Sequence, residues 1–155
     1  MLPASSKNGD EAMGTIKVLF LSTSNSARSQ MAEAFLRKYG GDRFDAYSAG
    51  LEPKGIDPNT ERVMEEVGVS LSGQYSKHVQ EYMGKIHFSY LITVCHEAEK
   101  NCPTVFPGVG QRLHWSFADP SAFTGSDDER LAKFRQVRDH IEQQVKSWLA
   151  AQKTA

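Results

Sequence analysis

The stretch that decides the fold reads VLFLSTSNSARS, from Val18 to Ser29. It completes a continuous apolar run, Ile16–Leu21, which is typical of a β-strand buried on both faces. Small polar residues follow, and Arg28 stands where a helix is expected to begin. Backbone N–H groups of such a loop can converge on one point, where the helix N-terminus and an arginine add positive charge. The stretch therefore predicts a cradle for a tetrahedral oxyanion, with Ser22 at its first position. The competing interpretation is an ordinary strand-to-helix turn, with Ser26 or Ser29 as the helix N-cap.

Apolar runs and helical periodicity alternate along the rest of the chain. The runs predict further strands at 44–49, 88–94 and 111–115. The periodic segments predict helices at 26–39, 58–68, 76–84 and 127–151. Such alternation favours a single three-layer α/β domain, a four-stranded parallel sheet flanked by helices. Ligands of such sheets bind beyond the carboxyl ends of the strands, where the Ser22 loop lies.

Composition narrows the possible functions. The chain has 155 residues, enough for one domain, with 18 basic and 19 acidic side chains. That balance argues against a dedicated nucleic-acid or membrane surface.

Residues 15–152 are predicted to form the domain. Residues 1–14 are polar and aperiodic, so we expect a disordered extension, an expression remnant or an upstream start before Met13. Without a secretory signal pattern or a long apolar run, the expected location is cytoplasmic.

From Ser22 to Arg28 the spacing is that of C-x5-R, with serine in place of cysteine. The loop resembles the active-site loop of the low-molecular-weight protein tyrosine phosphatase superfamily, and most closely that of its thioredoxin-coupled arsenate reductases. Other segments carry the resemblance over roughly residues 16–150. They are NSARSQMAEAFLR (25–37), SAGLEP (48–53), VCHEAEKNCP (94–103) and LHWSFADP (113–120).

The resemblance implies a role for each loop position. The side chain at position 22 would be the nucleophile, and Arg28 would clamp the oxygens of the anion. Asn25 would brace the loop, and Ser29 would hydrogen-bond the nucleophile and lower its pKa. The oxyanion-binding loop then comprises Ser22, Thr23, Ser24, Asn25, Ser26, Ala27, Arg28 and Ser29.

Serine at position 22 is the main departure from the family pattern. A cysteine in such a loop is a thiolate near neutral pH, because the cradle stabilises its charge. A serine hydroxyl is far less acidic and needs a general base, and none is visible in the loop. Ser22 also cannot form a disulfide. We therefore expect turnover at or near background, whether the serine is native or engineered.

Cys95 and Cys102 are the only cysteines in the chain. Two reduced, buried thiols are the ordinary expectation in the cytoplasm. If 95–102 were helical, the cysteines would be separated by ~10.5 Å of helix rise. A disulfide needs ~4.4–6.8 Å between Cα atoms, so pairing would require this segment to unwind. In the family, a cysteine at the position of Ser22 takes the arsenate. The resemblance implies that Cys95 attacks that cysteine to release arsenite, and that Cys102 passes the disulfide to thioredoxin. Thioredoxin would be an external reductant, with no bound cofactor.

The Asp119-Pro120 pair matches the general acid of the superfamily, although aspartate before proline also starts ordinary turns. Ser121 follows where phosphatases usually carry tyrosine, which weakens the case for a phosphotyrosine function.

No metal site is expected, because the histidines show no ligand grouping. Some of these reductases hold potassium beneath the loop. Asn25 and Glu33 match two of its ligands, but Lys77 falls where a carboxylate is expected, and our hypothesis is that its ammonium replaces the ion.

Three hypotheses follow. The first is an arsenate reductase scaffold that binds arsenate, phosphate or sulfate and is disabled by Ser22. The second is a non-enzymatic oxyanion binder, or an arsenite binder using Cys95 and Cys102 as a soft dithiol. The third is a tyrosine phosphatase, against which Ser22 and Ser121 both argue.

Overall fold

A computed structural model of the chain describes residues 15–94 and 108–154. The described strands are β1 (Ile16–Ser22), β2 (Phe44–Gly50), β3 (Phe88–Thr93) and β4 (Val109–His114). The α-helices are α1 (Arg28–Gly40), α2 (Pro58–Glu66) and α3 (Asp127–Thr154). Short 3-10 turns lie at Gly41–Arg43, Val79–Glu81 and Pro120–Ala122.

The four strands form one parallel sheet in the order β2-β1-β3-β4. The apolar run of β1 takes a central position, where Leu19 and Phe20 have no exposed surface. Ser22 at the end of β1 pairs in register with Gly50 of β2. The order reverses at β1, since β2 lies on one side of it and β3 on the other. The predicted fold class is confirmed, and the Ser22 loop lies at the switch point where such sheets bind ligands.

Different segments cover the two faces of the sheet. The three α-helices pack on one face, in a core that includes Phe20, Phe35, Phe134 and Ile141. On the other face, Leu19 and Leu91 pack with side chains around the turn Val79–Glu81. The helix predicted over 76–84, on this second face of the sheet, does not form. Only the 3-10 turn forms: the His78 ring caps its start by accepting from Gln80 N, and Gly84 adopts a positive φ of 74°, which is not helical.

Other element boundaries differ from the sequence prediction by a few residues. Helix α1 begins at Arg28 rather than near Ser26, because Ala27 adopts φ −140° and ψ −78°, which lie outside the helical region. Strand β4 begins at Val109 and ends at His114, earlier than the predicted 111–115. Within the described ranges, no helix is long and apolar enough to cross a membrane.

Candidate functional site

The loop between β1 and α1 enters the helix without a side-chain cap. Ala27 is the N-cap residue of α1, and it makes no side-chain hydrogen bond to the first turn. Ser26 Oγ lies 2.8 Å from Ser24 Oγ, and Ser29 Oγ lies 2.7 Å from Ser22 Oγ. The ordinary turn capped by Ser26 or Ser29 is therefore not what forms. N–H groups in the first turn of a helix attract anions when no side chain caps them.

Asn25 holds the unusual path of the loop. It is fully buried, and its backbone lies in the left-handed region, where residues other than glycine are uncommon. Its Oδ1 accepts from Lys77 N at 3.0 Å, and its Nδ2 donates to Ser29 Oγ at 2.8 Å. Its carbonyl oxygen accepts from Gln30 Nε2 at 3.1 Å. These bonds hold the backbone in a conformation that asparagine alone rarely adopts.

Gly50 lets the loop lie against the end of β2. A Cβ atom at this position would lie 2.8 Å from Thr23 O and 2.9 Å from Asn25 N, closer than side chains allow. Beyond it, Leu51 N donates to Ser22 O at 3.2 Å. No role of its own was predicted for Gly50 from the sequence. The signal that could have revealed its role is its place at the carboxyl end of a strand beside β1.

The Ser22 hydroxyl is surrounded by hydrogen-bond donors. Its Oγ accepts from Asn25 N at 3.1 Å and lies next to Ser29 Oγ. Because Ser29 accepts from the Asn25 amide, its own hydroxyl hydrogen can point at Ser22. Neither contact is a base that could take the serine proton. The hydrogen bonds that Asn25 and Ser29 offer to this position suit a negatively charged atom better than a neutral hydroxyl.

Arg28 and Asp119 meet at the mouth of the loop. The Arg28 side chain is 6% exposed, and its NH2 lies 3.3 Å from Asp119 Oδ2. Its NH1 donates to Phe117 O at 3.2 Å, and Asp119 Oδ1 accepts from Ser121 N. An adjacent cavity of about 590 Å³ has a polar wall that includes Ser26, Arg28, Lys54, Asp57, Asp119 and Ser121. The structure thus brings the predicted residues Arg28 and Asp119 together, and adds Lys54 and Asp57, which sequence reasoning missed.

Cys95 and Cys102 lie outside the described residues. The last described residue before them, Val94, donates its N–H to Leu21 O at 3.0 Å. Leu21 directly precedes Ser22, so the chain leaves β3 towards Cys95 from a point beside the end of β1.

A buried polar group, which we call the loop support, lies beneath the loop. It consists of Asn25, Ser29, Glu33, Ser48 and Lys77. The Ser48 hydroxyl donates to Glu33 Oε1, and Arg37 pairs with Glu33 Oε2. Burial lowers the pKa of Lys77, while the Glu33 carboxylate acts in the opposite direction. Within residues 15–94 and 108–154, no group of three histidine, cysteine, aspartate or glutamate side chains could hold a metal ion.

A strand-to-helix loop with an uncapped helix start and a buried arginine, at the switch point of a parallel sheet, is the local structure in which α/β proteins commonly bind anions. The family model for low molecular weight phosphotyrosine protein phosphatase matches residues 17–155. The chain belongs to this family.

Its relatives include arsenate reductases. The arsenate reductase of Halalkalibacterium halodurans is 42% identical over 84% of this chain and 93% of that protein. A solved arsenate reductase in the phosphate-binding state superposes with a TM-score of 0.70 at 29% identity, covering 88% of this chain and 98% of the other. A thioredoxin-dependent arsenate reductase of Corynebacterium glutamicum gives a TM-score of 0.67 at 26% identity, covering 96% of this chain and 67% of the other.

Proposed function

We propose that the chain is an arsenate reductase scaffold that binds arsenate, phosphate or sulfate in the loop from Ser22 to Ser29. The observation that carries this proposal is the uncapped start of α1, whose first residue is the buried Arg28. Loop N–H groups and the guanidinium together match the shape and charge of a tetrahedral oxyanion. A cytoplasmic location belongs to the same proposal, because free thiols persist in reducing compartments.

A bound oxyanion would compete with Asp119 for the Arg28 guanidinium. The Arg28 guanidinium contacts Asp119 and the carbonyl oxygen of Phe117. An oxyanion would take over the donors that now face Asp119. The Asp119 carboxyl group then lies at the mouth of the cradle, which is where a general acid would act on a bound oxyanion.

The second part of the proposal is a thiol relay through Cys95 and Cys102 to thioredoxin. Reduction of arsenate to arsenite consumes two electrons, which two thiols supply by forming one disulfide. The first step needs a sulfur–arsenic bond at position 22, so that attack by Cys95 on that sulfur releases arsenite. Ser22 could offer only an oxygen, and attack on it would leave no disulfide. We therefore propose that the chain binds the oxyanion without turning it over.

Thioredoxin-coupled turnover of arsenate tests this proposal. The wild-type chain and Ser22→Ala should both stay at background, whereas Ser22→Cys should gain roughly a hundredfold or more. Arsenate or phosphate binding measured by calorimetry should be present in all three. Turnover by the wild-type chain would contradict the assigned loss of activity. Arsenite binding that survives Arg28→Ala but is lost in Cys95→Ser would instead favour the soft dithiol function.

A tyrosine phosphatase function has less support. Ser121 Oγ donates to Asp57 Oδ2 at 3.1 Å, so this part of the cavity wall is polar. An aryl group stacks best on an aromatic or apolar wall. We therefore expect no hydrolysis of an aryl phosphate, and such hydrolysis by the wild-type chain would favour the phosphatase function.

A further inference from the structure

Lys77 is a buried lysine beneath the oxyanion loop, only 5% exposed. Its Nζ donates to Ser48 O at 2.8 Å and to Tyr75 O at 2.7 Å. The same nitrogen lies 4.6 Å from the centre of the Tyr75 ring, within the range of a cation–π contact. Two carbonyl oxygens and an aromatic face all favour a positive charge. The surroundings of Lys77 are therefore those of a monovalent cation.

The charges around this ammonium have opposing effects. Burial lowers the pKa of Lys77, the carboxylates of Glu33 and Glu81 raise it, and Arg37 lowers it. Glu33 is the buried carboxylate of the set, and it is held by the Ser48 hydroxyl and by Arg37. Since an unpaired buried charge is costly, the acceptors around Nζ and the Glu33 carboxylate together keep the lysine in place.

The backbone of Lys77 connects this cation to the loop. Its N–H donates to Asn25 Oδ1 at 3.0 Å, and its carbonyl oxygen accepts from Gly50 N at 2.9 Å. Asn25 in turn contacts both serines of the site, through its Nδ2 to Ser29 Oγ and its N–H to Ser22 Oγ. A displacement of Lys77 would therefore change the atoms that shape the cradle. Lys77 is not among the described residues that line the cavity.

We propose that Lys77 is a positioning residue for oxyanion binding, whose ammonium is a cation tethered beneath the loop. It holds the carbonyl groups of Ser48 and Tyr75 and thereby fixes Asn25 in its left-handed conformation. Because the cation is covalently part of the chain, oxyanion affinity does not depend on which monovalent ion is in solution. This inference rests on the proposed oxyanion binding.

Phosphate binding measured by calorimetry at matched ionic strength tests the inference. The wild-type Kd should be the same in potassium, sodium and choline chloride. Lys77→Ala should bind phosphate on the order of tenfold more weakly in choline chloride, the usual effect of losing a hydrogen bond to a charged group. Added potassium or methylammonium should restore part of that affinity, because the shortened side chain leaves space for a cation.

Lys77→Met provides the matched comparison, since it fills the same space without charge. It should bind phosphate as weakly as Lys77→Ala and should not respond to added cations. Lys85→Met removes an exposed lysine and controls for net charge, with no expected change in Kd.

Separate results would contradict the two proposals. If the wild-type chain binds no phosphate, the proposed function fails. If the wild-type chain binds phosphate and both Lys77 variants bind it as tightly as the wild-type chain does, the positioning role of Lys77 is wrong. A wild-type affinity that rises with potassium but not with choline would also overturn the tethered cation, and that measurement needs no variant to fold.

Discussion

Two buried regions of this molecule differ in the polarity of their side chains. The helix-covered core packs apolar side chains such as Phe35, Phe134 and Ile141 between one sheet face and the three α-helices. The loop support is equally buried but almost wholly polar, and its side chains are linked by hydrogen bonds and ion pairs. The core derives its stability from area removed from water, which depends little on direction. The loop support depends on bond geometry, so small displacements there should affect ligand binding before they affect folding.

The largest effect should come from the apolar core. Phe134→Ala removes a fully buried ring and should lower the free energy of unfolding by about 3–5 kcal/mol. Phosphate affinity of the folded fraction should stay near the wild-type value, because Phe134 is not among the described residues that line the cavity beside the loop. Urea unfolding provides the first measurement and calorimetry the second. Phe123→Ala is the matched control: this ring is 39% exposed, and its loss should cost about 1 kcal/mol or less.

Arg28→Ala should show the opposite pattern. Losing two charge-assisted hydrogen bonds to the anion should weaken phosphate binding roughly a hundredfold. The free energy of unfolding should change far less than in Phe134→Ala, because the Asp119 partner is partly exposed. Arg28→Lys keeps the charge but not the planar pair of donors, so its loss should be about tenfold. If Arg28→Lys binds phosphate as tightly as the wild-type chain, charge alone explains the site.

The same contrast explains what the sequence could predict. The apolar core follows from periodicity, so the β1 run and the helical periodicity of 127–151 predicted the observed fold class. Small polar residues between a strand and Arg28 also predicted an oxyanion cradle, with an ordinary strand-to-helix turn as the competing interpretation. Periodicity cannot predict contacts between segments that are distant in the chain. The hydrogen bond from Lys77 N to Asn25 joins residues 52 positions apart, so it becomes visible only in the folded structure.

The segment 76–84 shows why one helix prediction failed. Apolar residues there cover Leu19 and Leu91 on the second sheet face, and burial of those side chains does not require helical backbone. The polar lining by Lys54 and Asp57 was missed for a related reason. Both residues follow β2, and only the parallel register of β1 and β2 brings them to the Arg28 side of the sheet.

Asn25 separates backbone strain from side-chain bonding within the loop support. Asn25→Gly and Asn25→Ala both lose the bonds to Lys77 and Ser29, so both should bind phosphate more weakly. Alanine must also adopt the positive φ of 51°, which costs about 1–2 kcal/mol more than glycine does. Urea unfolding should therefore find Asn25→Ala the less stable of the two. Equal stability would mean that the loop relaxes to another path once the asparagine side chain is gone.

The smallest effect should come from the ion pairs at the rim of the apolar core. Glu66, at the end of α2, accepts hydrogen bonds from Arg135 and Arg138 of α3. The hydrogen bond from Arg135, followed by that from Arg138, lowers the pKa of Glu66 from 4.5 to about 2. A carboxyl group with a lowered pKa stabilises the fold above its unfolded pKa, and this contribution is lost as the pH falls from 4.5 towards 2.

Thermal unfolding of Glu66→Gln against the wild-type chain measures this contribution. The variant should unfold a few degrees lower at neutral pH, and the difference should shrink as the pH approaches 2. High salt should also reduce it, because these charges are partly exposed. Glu65→Gln, which removes the neighbouring exposed carboxylate, should leave the Tm unchanged across this range. A Tm difference for Glu66→Gln that persists at pH 2 would show that packing between α2 and α3, rather than charge, links Glu66 to the apolar core.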